Sequence, residues 1–363
     1  MTRRVEDVLG VAPVPQEKQA MRFSCLFFSD VRPEIDAAEK YRFLGDIARF
    51  ADGAGFEAIY LPERHFHEFG AIHANPAIVA AHLIPQTRSI RFRTAGVTIP
   101  LHHPAEIVEW WAMNDILSGG RVDLGFGSGW AQADFIYAPD NYEDRRRLCS
   151  EGIETIRALW RGEARRFPGP DGTPVEVVVH PRPIQPELSV WLLVTGNPEA
   201  FAHAGRQGWN VFTMLYGSNL DALAPKIARY RAGRAEAGLD PDGGTVTLAL
   251  HTLILPERDA VHRAVEAPLK AYIASSLRAH VEAGAVGVGA EMDAAAQAKA
   301  LDYAYHRYVE TAALFGSPED GRAMVARSAE AGVDEIACLL DFGADYDTVR
   351  ASLPHLGALI AEI

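Results

Sequence analysis

Cysteines are scarce in this chain, which has three in 363 residues. Cys25, Cys149 and Cys338 are widely spaced and odd in number, so neither a disulfide framework nor a Cys-x-x-Cys metal site is predicted, and a reducing cytoplasmic compartment is favoured. Long apolar runs are also missing. No segment reaches the roughly 18 to 20 residues that a membrane span requires, and no apolar stretch typical of a signal peptide precedes Pro13. We therefore expect no membrane partner.

Positive charge is in short supply as well. Lys and Arg number 35 against 48 Asp and Glu, which gives a formal net charge of −13. A chain without a basic field does not attract phosphate backbones, and this excludes a nucleic-acid partner. Hydrophobic residues make up 48% of the chain, enough for a large core. We predict an N-terminal extension over residues 1–20 and a single domain over residues 21–363.

Apolar segments of strand length recur eight times, and nearly every one precedes a segment with helical periodicity. The eight segments are residues 22–28, 57–61, 90–97, 122–126, 190–194, 210–214, 246–255 and 335–340. Eight β-then-α units predict an α/β fold, the (β/α)8 TIM barrel, and an open doubly wound sheet is the alternative. Pro76, Pro104 and Pro198 stand where three of the helices begin, a position that proline favours.

Two segments interrupt the alternation of strands and helices. Residues 162–187 carry Pro168-Gly169-Pro170-Asp171-Gly172 beside a β-branched run, which predicts an inserted hairpin. Residues 259–317 are about twice as long as one helix needs and contain an Ala/Gly/Val segment from Gly284 to Gly289. This excursion is interpreted either as a lid over the carboxyl ends of the strands or as a disordered surface loop.

Charged and imidazole groups are concentrated after the second strand, from Glu63 to Gly70. Arg64, His65 and His67 in this run could bind an anion, orient a substrate or move protons. A salt-bridged surface loop is the other interpretation of the same residues.

Small residues follow the third, fourth and fifth strands. Ala95 and Gly96 would let a flat ligand approach the backbone, and the alternating glycines around Ser128 and Gly129 would leave room for a ring or a phosphate. This second run lacks the third glycine of a dinucleotide-binding fingerprint. After the fifth strand, Thr195-Gly196-Asn197 precedes a helix and could seat an anion, although ordinary helix capping explains the asparagine as well.

Histidine pairs raise a metal-hydrolase alternative. His65 and His67, His102 and His103, and a late Asp341 resemble part of an amidohydrolase ligand set. No histidine stands directly at the end of the fifth or sixth strand, where such enzymes have further ligands, so we predict no metal. His102 and His103 could also cap the loop before a helix.

Taken together, these segments resemble the luciferase-like flavin-dependent monooxygenases from Met21 onward. The similar segments are residues 63–70, 75–76, 103–104, 117–121 and 127–130. A closer resemblance, to the subgroup found in polyketide and nonribosomal peptide biosynthesis, is carried by residues 61–66, 195–199 and 333–343.

The resemblance implies FMN at the carboxyl ends of the strands. The ring would lie near Ala95 and Gly96, where the family often has a non-proline cis peptide, with Ser128 and Gly129 along the ring or the ribityl chain. The phosphate site implied by the resemblance comprises Thr195, Gly196, Asn197 and Arg145.

Two positions differ from bacterial luciferase, and they change the expected reaction. Luciferase has its catalytic histidine at the position of Arg64 and its reactive cysteine at the position of Gly127, so light emission is not expected. We predict His65 or His67 as the proton donor, with Arg64 orienting a negative or carbonyl group.

The predicted function is oxygenation of an organic substrate of secondary metabolism by reduced FMN and O2. No nicotinamide site is evident, so a separate flavin reductase would supply the reduced FMN to what we expect to be a homodimer. The substrate would be a small molecule, either free or bound to a carrier protein. A deazaflavin (F420)-dependent hydride-transfer enzyme and a non-catalytic flavin-binding protein are the alternatives on the same fold.

Overall fold

The computed structural model describes residues 20–28, 32–282 and 294–363. Within these residues the strands are β1 (Arg22–Leu26), β2 (Ala58–Leu61), β3 (Arg91–Thr94), β4 (Val97–Thr98), β5 (Leu124–Gly127), β6 (Arg165–Pro168), β7 (Pro174–Val177), β8 (Val190–Leu193), β9 (Asn210–Met214), β10 (Val246–Ile254), β11 (Ala313–Gly316) and β12 (Glu335–Leu339). The α-helices are α1 (Ala37–Gly53), α2 (Pro76–Leu83), α3 (Pro104–Ser118), α4 (Arg145–Arg161), α5 (Pro198–Arg206), α6 (Leu220–Glu236), α7 (Arg258–Glu282), α8 (Ala294–Thr311), α9 (Pro318–Glu330) and α10 (Tyr346–Ala361).

The parallel strands form a nearly closed barrel surrounded by helices, which confirms the predicted fold. Hydrogen bonding runs in the order β3-β2-β1-β12-β10-β9-β8-β5-β4. β3 and β4 together make the third barrel strand, since a bridge from Phe92 to Val122 and the pairing of β4 with β5 bring the two ends of this order together. The strand was predicted as one continuous segment. It is interrupted at Ala95–Gly96, whose peptide bond is cis, as the resemblance implied.

Three helices begin as their sequences predict, with a capping side chain followed by proline. Asn75, His103 and Asn197 each accept a hydrogen bond from a backbone N–H of the first turn of α2, α3 and α5. Such caps satisfy amide groups that have no partner inside the helix. They fix where each helix begins and how the loop before it leaves the barrel. Within the described ranges, no helix is both long and apolar enough to cross a membrane.

Both interruptions of the β/α alternation are present. The predicted hairpin is the antiparallel pair β6–β7. The excursion over residues 259–317 forms the helices α7 and α8 and then β11, which extends the sheet beside the outer half of β10. β11 was not predicted, because its four residues lie inside the segment interpreted as a lid or loop. The segment from Gly284 to Gly289 and residues 1–19 lie outside the described residues.

The amino-terminal half of the barrel interior is filled by a polar cluster around Arg93, whose side chain is 2% exposed. Its guanidinium donates to both carboxylate oxygens of Glu335 at 2.9 Å and to Asp123 at 2.8 Å, and it lies 4.3 Å from the ring centre of Trp191. Glu335 also accepts from the hydroxyl group of Thr247 at 3.2 Å. These groups come from β3, β8, β10, β12 and the segment before β5. One buried cation therefore joins most of the barrel.

Loss of this cation should destabilise the barrel strongly. In the Arg93→Gln variant the buried Glu335 loses its charged partner and Asp123 keeps only Arg91, and breaking a buried ion pair on one side costs about 3–5 kcal/mol. Urea denaturation measures the change in the free energy of unfolding. The control is Arg166→Gln, since Arg166 pairs with Glu176 on the exposed hairpin and a change within about 0.5 kcal/mol is expected there. Equal stability of the two variants would contradict this account of the barrel interior.

Candidate active site

A cavity of about 340 Å³ opens at the carboxyl ends of the strands, between the loops that follow β2, β4, β5, β8 and β9. Six of the predicted site residues contribute to its lining: Arg64, Ala95, Gly96, Ser128, Gly129 and Thr195. The other five lie nearby in the chain but outside the lining: His65, His67, Arg145, Gly196 and Asn197. The strand ends therefore bring half of the predicted site into one cavity.

One wall of this cavity is formed by the backbone of glycine residues, without side chains. A Cβ added at Gly96 would lie 2.7 Å from the carbonyl oxygen of Gly125, and one at Gly125 would lie 2.1 Å from that of Thr94, so the neighbouring strands approach closely only because both residues are glycine. A Cβ added at Gly127 would meet no atom within 4 Å. Gly127 thus leaves cavity space open beside a flat wall, which suits a planar ring system such as a flavin.

Glu63 is a buried carboxylate that three donors hold in place. The backbone N–H of Thr98 donates to its Oε2 at 2.7 Å, and the Nε2 atoms of His65 and His102 lie 2.9 Å and 2.5 Å from its Oε1. Burial alone would raise the pKa of the Glu63 carboxyl, but the hydrogen bonds from His102 and His65 outweigh it and the pKa is lowered. Burial likewise opposes protonation of His102, yet Glu63 raises the pKa of this imidazole overall.

The two histidines predicted to transfer a proton have different surroundings. His65 is buried, its Nε2 is held by Glu63, and its ring meets Tyr137 edge-on at 5.2 Å. The ring of His67 stacks on Trp130 with 6.0 Å between centroids, and its buried Nε2 has no hydrogen-bond partner among the residues described. The first imidazole is therefore anchored, and the second has a ring nitrogen available to a ligand.

Arg64 reaches the cavity from the same loop. Its guanidinium lies 4.9 Å from the ring centre of Phe28, and its Nη1 donates to the Glu63 carbonyl group at 3.4 Å. The buried Nε of Arg64 finds no acceptor within the described part of the chain. This side chain therefore has a donor available for a negative or carbonyl group, and the orienting role stays a prediction.

Asp134 is a site residue that the sequence analysis missed. It is 8% exposed and contributes to the cavity lining, and its Oδ1 has no hydrogen-bond partner in the described segments. Burial raises the pKa of this carboxyl, although the nearby charges of His65, His67 and Arg64 act in the opposite direction. One signal was available, because Asp134 is a single acid between the apolar pairs 130–131 and 135–136, close after the glycine run.

Only part of the predicted phosphate site is formed in the structure. Thr195 contributes to the cavity lining, whereas the side chain of Asn197 caps α5 by accepting from the Glu199 N–H at 3.0 Å. Arg145 stacks on Tyr142 at 4.2 Å from the ring centre and donates to its carbonyl group at 2.6 Å. A cation that the sequence analysis did not consider, Lys226 of α6, donates to the carbonyl oxygen of Thr195 at 2.9 Å.

Among the described residues, Glu63, His65 and His102 form the one cluster whose ligand atoms could hold a metal ion, since these atoms lie within 4.8 Å of one another. A metal would have to replace the protons that join both imidazoles to one carboxylate oxygen. His103 caps α3 with its Nδ1, and Asp341 accepts from a backbone N–H after β1. Of the residues considered for a di-metal centre, His65 and His102 therefore meet at Glu63, whereas His103 and Asp341 are engaged elsewhere.

Comparison with known proteins identifies the family to which this chain belongs. The luciferase-like monooxygenase family matches residues 21–335, and the chain therefore belongs to it. The oxygenase component of the flavin-dependent trigonelline monooxygenase of Acinetobacter baylyi is 30% identical over 254 residues, which are 66% of this chain and 67% of that protein. The F420-dependent hydroxymycolic acid dehydrogenase of Mycobacterium tuberculosis is 31% identical over 202 residues, 53% of this chain and 54% of its own length.

A solved structure shares the architecture over nearly the whole chain. The monooxygenase RslO1 from Streptomyces bottropensis superposes with a TM-score of 0.78 at 23% identity, and the match covers 94% of this chain and 99% of that one. Other curated relatives match over shorter parts of their length, for example 50% of the protein y4vJ of Sinorhizobium fredii. The resemblance stated from the motifs is confirmed at the level of the family and its fold.

The Glu63–His102 pair should make stability depend on pH. The pKa of His102 is raised above 6.5 in the folded chain, so its contribution is fully present below pH 6.5 and is lost as the pH rises through the raised value. The lowered pKa of Glu63 acts in the opposite sense, and its contribution is lost only as the pH falls below 4.5. His102→Gln should therefore flatten the decline of the unfolding free energy above pH 6.5, measured by urea denaturation at a series of pH values. The control is His306→Gln, which removes an exposed histidine, and identical slopes for the two variants would contradict the assignment.

Proposed function

We propose that this chain is an FMN-dependent monooxygenase, which uses reduced FMN and O2 to oxygenate an organic substrate of secondary metabolism. The observation that carries the proposal is a cavity that combines a glycine wall with unsatisfied polar groups. The Oγ1 of Thr213 and the Oδ1 of Asp134 are buried at this cavity without partners among the residues described. Buried polar groups are normally paired, so these two point to a ligand with hydrogen-bonding atoms. The flavin-dependent relative supports the cofactor, and the resemblance to natural-product enzymes supports the kind of substrate.

FMN would occupy the first cavity. In this proposal Ala95, Gly96, Ser128 and Gly129 contact the ring and the ribityl chain, and the phosphate is held by Thr195, Gly196, Asn197 and Arg145. Lys226 is an additional cation for the phosphate, because its ammonium group already lies at Thr195. When bound and reduced, FMN supplies the electrons and the reaction with O2. The protein positions the reactants and excludes water.

Proton transfer would fall to the loop after β2. The hydrogen bond between Glu63 and the Nε2 of His65 fixes the orientation of this imidazole. The Nε2 of His67 has no hydrogen-bond partner among the residues described. The carboxyl group of Asp134, whose pKa is raised by burial, interacts with the charges of His65, His67 and Arg64. Arg64 would orient a carbonyl or negative group of the substrate.

A separate flavin reductase would deliver the reduced FMN, and the substrate would be a small molecule, either free or bound to a carrier protein. The specific alternative is an F420-dependent hydride-transfer reaction, which the relative from Mycobacterium tuberculosis favours. A third candidate is a flavin-binding protein without turnover.

One experiment separates these three functions. The purified full chain is titrated with FMN and with F420, followed by absorption, and oxygen uptake is then measured with chemically reduced FMN. A monooxygenase binds FMN and consumes O2, an F420 enzyme prefers the deazaflavin, and a flavin-binding protein binds FMN without O2 consumption above the rate of free reduced FMN. Preference for F420, or binding without uptake, would overturn the proposal.

The role of the anchored imidazole is tested by His65→Ala. We expect nearly unchanged FMN affinity, since His65 lies outside the cavity lining, together with a roughly tenfold or greater loss of product from the missing proton transfer. Uncoupled oxygen uptake should appear as hydrogen peroxide release. The control is His306→Ala, which removes an exposed imidazole of α8. Unchanged coupling of oxygen uptake to product in His65→Ala would exclude this role.

The homodimer is proposed on an exposed apolar face of α2 and α3. These helices are joined by a hydrogen bond from the Asn114 amide to the Ala77 carbonyl oxygen at 2.9 Å. Their exposed apolar side chains are Ile78, Met113, Ile116 and Leu117. A second copy of the chain would bury such a surface through the same residues on both sides.

Leu117→Glu should therefore convert a dimer to a monomer in analytical ultracentrifugation. The control Val175→Glu on the hairpin should leave the dimer intact. A monomeric parent chain would contradict the proposal.

A further inference from the structure

A second cavity, of about 530 Å³, adjoins the first one. It lies between the barrel mouth and the helices α7 and α8, and both cavities include Thr195 and Tyr216 in their lining. A ligand in the second cavity would therefore be a direct neighbour of a ligand in the first. The volume is within the range of ordinary small-molecule sites.

His251 of β10 is the buried polar group at the base of this second cavity. It is 2% exposed, and three rings meet it edge-on, those of Tyr272, Tyr308 and Phe342, at 4.7, 5.1 and 5.4 Å. Both ring nitrogens lack a hydrogen-bond partner in the described segments. Burial lowers the pKa of His251 to about 3, so the ring is neutral and offers one N–H donor and one acceptor.

Tyr272 of α7 presents a second unsatisfied group. Its side chain is buried, and its hydroxyl group finds no hydrogen-bond partner among the residues described. Burial raises the pKa of this phenol well above its usual value, so it remains a donor at any physiological pH. Two such groups side by side in one aromatic cavity cost stability when empty, and a ligand oxygen between them would satisfy both.

Arg307 of α8 supplies the charge of the cavity. It is half-buried in the lining and forms no ion pair with any residue in the described ranges. In a chain with a net charge of −13, a cation without a carboxylate partner beside an apolar cavity favours an anionic group on the ligand.

We propose that the second cavity binds the substrate, and that the substrate is an aromatic carboxylate with an oxygen substituent on its ring. The ring packs among Tyr272, Tyr308 and His251, where edge-to-face contacts are available. The ring oxygen binds the Tyr272 hydroxyl and the His251 imidazole, and the carboxylate meets Arg307. This inference rests on the proposed function, because it assumes that the cofactor occupies the first cavity.

The test is calorimetric titration of the FMN-saturated full chain with three probes. They are 6-hydroxy-2-naphthoate, 2-naphthol, which lacks the carboxylate, and decanoate, which lacks the ring. We expect the hydroxynaphthoate to bind most tightly. Tyr272→Phe should weaken it about five- to tenfold, as for one lost hydrogen bond, without lowering Tm, since the hydroxyl group has no partner to lose in the protein. Arg307→Gln should weaken the hydroxynaphthoate about tenfold and leave 2-naphthol unchanged.

The matched control is Tyr303→Phe, the same change at an exposed position of α8, which should alter neither binding nor Tm. Equal affinity for decanoate would overturn the aromatic assignment, and an unchanged affinity of Tyr272→Phe would overturn the polar anchor. FMN binding by the same wild-type protein is measured first. If FMN does not bind, the proposed function fails, whereas FMN binding without any probe binding overturns the substrate site alone.

Discussion

The buried guanidinium of Arg93 is the interaction on which the rest of the barrel depends. Its carboxylate partners Glu335 and Asp123 stand at or just before the beginnings of barrel strands that are far apart in the chain. A buried charge is tolerated only when its hydrogen bonds are complete, so the strands that provide these partners must keep their register. The amino-terminal half of the barrel is in this way fixed by charge as well as by apolar packing.

The carboxyl-terminal half of the barrel differs from this end, because several of its buried polar groups have no partner among the described residues. There, polar atoms of Asp134, Thr213, His251 and Tyr272 are buried without partners in the described part of the chain. Each such group costs about 1–3 kcal/mol, which a barrel closed firmly at its other end can tolerate. Unsatisfied groups gathered at the strand ends are typical of binding sites in this architecture.

The barrel strands and three of the helix starts could be predicted because they depend on local patterns. Apolar runs of five to ten residues mark the strands, and an asparagine or histidine before proline marks these three helices. The interruption at Ala95–Gly96 could not be placed from sequence periodicity, since it depends on how closely Gly125 approaches Thr94. β11 was missed for a similar reason, because its pairing with the outer half of β10 is a tertiary contact.

The glycine-rich wall was predictable from its small residues, but the polar part of the site was predictable only where several polar residues stood together. The run after β2 drew attention to Arg64, His65 and His67, but the anchoring role of Glu63 depends on His102, which is 39 residues away. Asp134 and His251 are single ionisable residues in mostly apolar segments. Their importance follows from the side of the loop or strand on which they lie, and this is decided by the register of the barrel.

The two cavities share Thr195 and Tyr216 but are otherwise lined by different parts of the chain. The first is formed by the loops after β2, β4, β5, β8 and β9, which carry the glycines and the Glu63 loop. The second takes Tyr272, Arg307 and Tyr308 from the inserted helices α7 and α8. If the substrate lies in the second cavity, as proposed, a change in the inserted helices alters the substrate site without disturbing the glycine wall.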